Sequence, residues 1–354
     1  MIKDDRKARL THPLRVVVGL DKLGWHERFS QALEEKKEQG IPLQVITANL
    51  EAHDWLEQIE DADLILWKPD YMGIKSASFF KEKIYFLQYI AEKVIVPNLQ
   101  TIWHFESKVA QSYLFSHYKI KSPRTVVSMD YNDAAQVCAE SKFPLVFKLS
   151  YGAGSENVQI INDQSKAQKQ LRKIFSMPIY DDEKRRLFFG AKVMLRHFWE
   201  KWLWYRTIRR LYEKYENVAA SYFQEFIPGN TADLRITVIG DRFAFGFWRN
   251  NRPGDFRASG SGLVDYERSI PEEAVNYCIE LNRKMNFDSM CYDLLFNEDG
   301  FVITEMSYGY KAEAVYNAPG YYLLQDGSLT FHKGHVWPQQ LWVDWALRKL
   351  RALG

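Results

Sequence analysis

Short apolar runs and amphipathic stretches alternate along the first hundred residues. "RVVVGL" (15–20), "LQVITAN" (43–49), "ADLILWKP" (62–69) and "KVIVPN" (93–98) are brief, β-branched and apolar, and predict strands. "WHERFSQALEEKKEQG" (25–40) has an amphipathic helical pattern that Gly40 stops, and "AHDWLEQIED" (52–61) predicts a second helix. Strand and helix in turn predict a small parallel α/β domain over residues 1–100.

Beyond it the periods change. "TIWHFESKVAQSYLFSHY" (101–118) has helical periodicity and "IKSPRTVV" (120–127) returns to extended chain. "LVFKLSYGAGSENVQII" (145–161) reads as strand, glycine loop and strand, and a helical stretch rich in arginine and aromatics covers 165–217. "DLRITVIGDRFAFGFWRN" (233–250) predicts a hairpin about Gly240-Asp241, and "MCYDLLFNEDGFVITEMS" (290–307) a second one. Between them lie a loop, "DFRASGSG" (255–262), and a helix, "PEEAVNYCIELNRKM", with Pro271 in its first turn. "WPQQLWVDWALRKLRAL" (337–353) predicts an amphipathic tail helix that packs on the body or on a second subunit, so a homo-oligomer stays in view. No internal repeat is present.

Composition narrows the class. A length of 354 residues exceeds one ordinary core, and 46% hydrophobic with 26% charged content is that of a globular protein of two or three domains. Lys+Arg 47 against Asp+Glu 45 gives no overall charge for wholesale nucleic-acid binding and leaves only a local basic patch open. The three cysteines, Cys138, Cys278 and Cys291, have no CxxC spacing, which argues against zinc and disulfides and for a reducing compartment. With no secretory h-region and no long apolar span, the expected location is cytoplasmic.

Lys148 is the first chemical anomaly, a lysine within an apolar strand that runs into a glycine loop. Either its stem carries the ammonium to water or the ammonium meets an anion. The loop is no P-loop, since the lysine precedes the glycines and a strand follows them; nor does "GLDKLGWH" after the first strand match GxGxxG. Backbone N–H groups of Gly152, Ala153, Gly154 and Ser155 can nonetheless fold over phosphates as a flap; the plain alternative is an ordinary glycine hairpin.

In the second hairpin, a five-residue loop at 297–301 sets Asp293 opposite Glu305. Facing carboxylates repel, and a Mg²⁺ ion between them removes the penalty. Ser307 shares the face of Glu305. A register one residue different would turn Asp293 to solvent. Arg235, Arg249, Arg252 and Arg257 lie between the two hairpin signals, a run of cations that suits a polyanion.

This order of motifs resembles the ATP-grasp superfamily over about residues 95–310, and most closely its carboxylate–amine ligases, such as glutathione synthetase and the ligases that add glutamate to a ribosomal protein. The resemblance implies an α/β pre-grasp domain (1–100) followed by an α+β ATP-grasp domain (101–354) with nucleotide between its lobes: a flap lobe at about 130–228 and a metal-binding lobe at about 229–354. It implies that Lys108 and Lys148 contact phosphates and that Gln224, Glu225, Phe226 and Ile227 line the adenine. Asp233 would lie on the substrate side of the nucleotide. Arg235 would stabilise an acyl phosphate, with Arg249 and Arg257 as further catalytic arginines, and Asp293 and Glu305 would hold Mg²⁺. Where the family has Glu-x-Asn, this chain has Glu305-Met306-Ser307, which puts the second of one or two Mg²⁺ ions in doubt.

The implied activity is ATP- and Mg²⁺-dependent activation of a carboxylate as acyl phosphate, then amide formation with an amine on a small molecule, glycan or peptide. A kinase acting on a hydroxyl and a degenerate nucleotide-binding regulator are the alternatives. "KRRLFFGAKVMLRHFWEKWLWYRTIRRLYEKY" (184–215), basic and aromatic, is either a packed helical extension or a docking surface for an anionic acceptor or lipid headgroups.

Overall fold

The structure is a computed structural model, and it describes residues 13–69, 74–105, 107–149, 158–175, 220–258 and 261–353. The chain divides into two compact units, Met1–Phe105 with Gly229–Gly354, and Glu106–Pro228. Among the described residues no helix is long and apolar enough to cross a membrane.

The first unit contains two sheets. Strands β1 (Leu14–Gly19), β2 (Leu43–Ala48), β3 (Leu64–Leu66) and β4 (Val94–Val96) form a parallel sheet in the order β2-β1-β3-β4. Helix α1 (Trp25–Glu38) crosses between β1 and β2. The expected second helix shortens to α2 (Trp55–Gln58), and α3 (Ile74–Tyr85) precedes β4. Val16, Val18, Leu64 and Leu66 are fully buried, as strands covered on both faces require.

The second sheet carries β9 (Ala232–Ile239), β10 (Phe243–Asn250), β12 (Ser289–Asn297), β13 (Gly300–Ser307), β14 (Gly320–Gln325) and β15 (Ser328–Lys333) in the order β13-β12-β9-β10-β14-β15, with β11 (Val264–Asp265) against β10. The tail helix, Pro338–Leu353, packs on α1 and buries Leu341, Trp342, Val343, Ala346 and Leu347 in a core shared with β1, β3 and β9. Packing of this helix within the chain, as expected, is observed. Gly240 turns the β9–β10 hairpin at φ 61°, and a Cβ there would come within 2.8 Å of Trp345 on the tail helix.

Asp288 fastens this helix. Its fully buried carboxylate accepts from Asn98 N at 2.6 Å, Trp345 Nε1 at 2.7 Å and Lys349 Nζ at 2.8 Å. Asp288→Ala leaves these donors without their shared acceptor, and is expected to lower stability in urea unfolding by about 3–5 kcal/mol.

The second unit has one antiparallel sheet, β5 (Thr125–Ser128), β6 (Leu145–Lys148), β7 (Val158–Ile161) and β8 (Ser221–Glu225), in the order β5-β8-β6-β7. Helices α6 (Tyr131–Glu140) and α7 (Gln164–Phe175) cover it through Ala134, Cys138, Leu171 and Ile174. The single helix expected over 101–118 is two. Asn98 caps α4 (Leu99–Ile102) by accepting from Thr101 N at 2.9 Å, and Ser107 caps α5 (Lys108–Tyr118) by accepting from Ala110 N at 3.2 Å. A side-chain cap at Ser107 restarts the helix and interrupts the periodic run. Most of the expected 165–217 helical stretch, and all of 184–215, lies outside the described residues.

Candidate active site: a charged array on one sheet face

The register of the second sheet brings the charges together. Asp293 on β12 lies opposite Glu305 on β13 and Arg235 on β9, while Asp233 on β9 lies opposite Arg249 on β10. Asp233 and Arg235 are two residues apart and so share a face. The Asp293–Glu305 pairing expected from sequence is present, but by another route. The loop is the two residues between Asn297 and Gly300, which sets Phe296 opposite Phe301, and a bulge between Asp293 and Leu294 restores the pair.

Arg235 makes a fork on Asp293, Nε to Oδ1 at 2.7 Å and Nη2 to Oδ2 at 2.8 Å. Arg249 makes another on Asp233, Nε to Oδ1 at 2.7 Å and Nη2 to Oδ2 at 2.5 Å, and the same Nη2 lies 2.7 Å from Asp293 Oδ2. Asp233, Arg249 and Asp293 are buried and Arg235 is partly so. The array therefore holds two cations and two anions away from water. Each guanidinium spends Nε and Nη2 on aspartate, and among the described residues neither Nη1 is engaged.

The two aspartates respond differently. Burial, then the neighbouring charge of Asp293, raises Asp233 to about 6 against the guanidinium of Arg249. Burial also opposes ionisation of Asp293, but Arg235 and Arg249 together outweigh it and hold that carboxyl below the usual range. Since Asp233 in the folded chain lies above its ordinary value of 3.8, the folded state binds the extra proton between the two values, and this group's contribution to stability declines as pH rises from 3.8 to about 6. Asp233→Asn lacks that titration. Its stability relative to wild type is expected to rise by ~2 kcal/mol between pH 4.5 and 7.5 in urea unfolding; a difference independent of pH would refute the assignment.

The run of arginines is thus offset by acids. Arg257, in the loop after β10, binds Asp255 through Nε at 2.9 Å and Nη2 at 2.6 Å, which lowers Asp255 to about 2. Asp233, Asp293 and Asp255 balance Arg249, Arg235 and Arg257, so these three arginines carry no surplus of positive charge. The guanidinium groups of Arg235 and Arg249 likewise balance Asp293, opposite Glu305.

Among the described residues no group of three His, Cys, Asp or Glu side chains could hold a metal ion. Two carboxylates remain a fitting partial set. Asp293 Oδ1 accepts one N–H and a carboxylate oxygen has room for two, and Glu305 stands opposite. Mg²⁺ is commonly held by one or two carboxylates together with substrate phosphates. Ser307 Oγ is turned to the adjoining backbone, accepting from Gly309 N at 3.1 Å and donating to Gly309 O at 3.3 Å.

In the other unit, Lys148 ends β6, is buried, and sets its ammonium 5.8 Å from the ring centroid of Tyr222. Lys108 is buried at the first position of α5. Gln224 Nε2 donates to Thr125 Oγ1 at 3.0 Å, and Glu225 pairs with Arg124 through the backbone. Phe226 and Ile227 follow directly after β8, with Ile227 buried. Gly152, Ala153, Gly154 and Ser155 lie outside the described residues.

Residues 205–316 match the family model described as RimK-like ATP-grasp domain. A RimK domain ATP-grasp protein from Sphaerobacter thermophilus superposes with TM-score 0.52 and 13% identity, covering 94% of this chain and 99% of that one. The chain has the ATP-grasp fold. The ATP-grasp ligase PsnB, solved with a minimal precursor, Mg and ADP, superposes with TM-score 0.54 and 11% identity over 95% of this chain and 98% of that one. Among curated proteins, the alpha-aminoadipate–LysW ligase LysX of Saccharolobus solfataricus is 22% identical over 223 residues, 62% of this chain and 68% of that protein. A shorter stretch of 91 residues, 25% of this chain, is 33% identical to 42% of the DNA helicase assembly protein of enterobacteria phage T4. In the ATP-grasp fold of this chain, the charged array lies on β9, β10 and β12, and β9, β10, β12 and β13 all fall within the family match.

Proposed function

We propose that the protein is an ATP- and Mg²⁺-dependent, ADP-forming ligase that joins a carboxylate to an amine. The carrying observation is the arginine pair. Arg235 and Arg249 are fixed by Asp293 and Asp233, and each keeps Nη1 for an incoming anion. Donors locked in place before charge develops are the arrangement that stabilises phosphoryl transfer with little reorganisation. The ATP-grasp fold, and the ligases named above, support the same reading.

A carboxylate oxygen attacks the γ-phosphorus of ATP, the bond to the β–γ bridging oxygen breaks, and ADP leaves. The amine nitrogen then attacks the acyl carbon, phosphate departs with the C–O electron pair, and the nitrogen gives up a proton. Arg235 and Arg249 offset charge on the transferring group, with Arg257 as a further phosphate partner. Asp293 and Glu305 would hold Mg²⁺, which supplies electrostatic stabilisation of the phosphates when bound. Lys108 and Lys148 contact phosphates. Gln224 to Ile227 line the adenine, and the 152–155 loop supplies backbone N–H groups. Substrates of amino-acid or peptide type are favoured, by analogy with the LysX ligase and PsnB.

The test is ADP release from MgATP by the full chain, across a panel of amino acids and peptides supplied as acid and amine. ADP that requires both partners supports the ligase. A stable phosphorylated product formed without an amine makes the protein a kinase. Nucleotide binding without ADP under any pairing makes it a regulator.

A further inference from the structure

The β14–β15 hairpin lies beyond the residues that match the family model, and β15 ends the second sheet. The hairpin fixes which main-chain groups of β15 point away from the sheet. Asp326 and Gly327, with φ of 50° and 79°, make a two-residue turn that pairs Gln325 with Ser328. Such a turn closes on a hydrogen-bonded pair, and bonded and non-bonded pairs then alternate. Gly334 N, donating to Pro319 O at 3.0 Å, keeps the same phase at the far end. Ser328, Thr330 and His332 therefore bond to β14, while Leu329, Phe331 and Lys333 turn their N–H and C=O groups outward. Among the described residues no strand takes them up.

β15 runs in regular register, without proline or bulge, and every residue of it but Leu329 is exposed. Natural edge strands usually carry such a device or a cover, because an open edge is a template for pairing. Phe331 is 44% exposed. Its ring lies 5.0 Å from that of Tyr322 and crosses Gly320, where a Cβ would come within 2.6 Å of it. Glycine at 320 thus lets a large apolar ring lie across β14 beside the open edge. The two charged residues stand at opposite ends, Asp326 in the turn and Lys333 at the last position of β15, and among the described residues neither is ion-paired.

We propose that β15 is the contact through which two copies of this chain associate, edge to edge and antiparallel, about a twofold axis at Thr330. With that axis, Leu329 and Phe331 of one copy exchange main-chain hydrogen bonds with Phe331 and Leu329 of the other. Their apolar side chains meet on one face. On the other face Thr330 meets its own counterpart and His332 meets Ser328. Cross-strand pairs of like polarity are the ones that stabilise a sheet. Lys333 comes opposite Gly327 of the second copy, beside its Asp326, so each end of the seam gains an opposite charge. An axis one residue on, at Phe331, sets Leu329 against Lys333 and is the poorer match. This self-complementarity selects a second copy over a foreign extended peptide. The seam is short, so the dimer is reversible, with a Kd roughly in the micromolar range.

The test is sedimentation equilibrium of the full chain. Wild type is expected to pass from the mass of one chain to that of two as its concentration rises through roughly 1–100 μM. Phe331→Glu sets a carboxylate against Leu329 of the second copy and is expected to raise the dissociation constant at least ~10-fold. Lys333→Glu brings two acids together at each end and should weaken the dimer several-fold. Adding Asp326→Asn to it removes the repulsion, keeps the turn as Asn-Gly, and should recover most of that loss. This pair of variants decides if Phe331→Glu does not fold. Thr330→Cys reports the register. The native cysteines are buried, and thiols facing each other at a non-hydrogen-bonded pair, with Cα atoms about 4.5 Å apart, are within disulfide reach. Mild oxidation should therefore link the Thr330→Cys chains in pairs. A single-chain mass throughout that concentration range, a dimer that neither Phe331→Glu nor Lys333→Glu weakens, or a dimer whose Thr330→Cys chains do not link overturns the proposal.

Discussion

Asp293→Asn is expected to reduce ADP formation by about 10³-fold, the scale on which loss of one preorganised electrostatic partner acts. Three N–H groups converge on this carboxylate, two from Arg235 and one from Arg249. The amide can still accept from Arg235 Nε. Its own N–H₂ would then face the Nη2 groups of both arginines, donor against donor, and one negative charge is gone from a buried set of four. Removing one partner of a buried ion pair costs about 3–5 kcal/mol, so urea unfolding should register a loss of that order beside the kinetic one. Glu305→Gln separates the two effects. Glu305 is opposite Asp293 but belongs to neither arginine fork, so turnover should fall with both forks left intact. If Asp293→Asn kept activity within tenfold of wild type, neither the arginine array nor a metal at Asp293 would be part of the chemistry.

The fold was legible where the hydrophobic period was unbroken. β1, α1, both hairpins and the tail helix fall within a residue or two of their sequence ranges, because apolar alternation and Gly or Pro stops agree there. It was illegible where a single polar side chain decides. Ser107 divides a run that periodicity joins. The hairpin of β14 and β15 turns on Asp326-Gly327, with φ of 50° and 79°, a two-residue turn signal that stood unread between aromatic residues.

The site was legible as a list and not as a balance. Each arginine of the run could be named from the sequence, but its acid could not. Asp233 meets Arg249 across 16 positions, and Asp293 meets Arg235 across 58. Only strand register makes those pairs, and register depended on a bulge that no local pattern announces.

Lys148→Met is expected to weaken AMPPNP binding by roughly 30- to 150-fold, the equivalent of about 2–3 kcal/mol for charge-assisted hydrogen bonds to phosphate. Lys148 occupies the last position of β6, a strand flanked on both sides, by β8 and β7. Its aliphatic stem is therefore enclosed by strands, and only the ammonium distinguishes it from the apolar residues before it. Methionine retains the stem and can lie against the Tyr222 ring, so the sheet loses no volume. Thermal unfolding should then stay within a few degrees of wild type, because the stem and its packing are kept. A lysine with a purely structural role behaves in the opposite way, with lower melting temperature and unchanged nucleotide affinity. Calorimetry and a melting curve on the same preparation distinguish the two, and the second pattern would remove Lys148 from the nucleotide site.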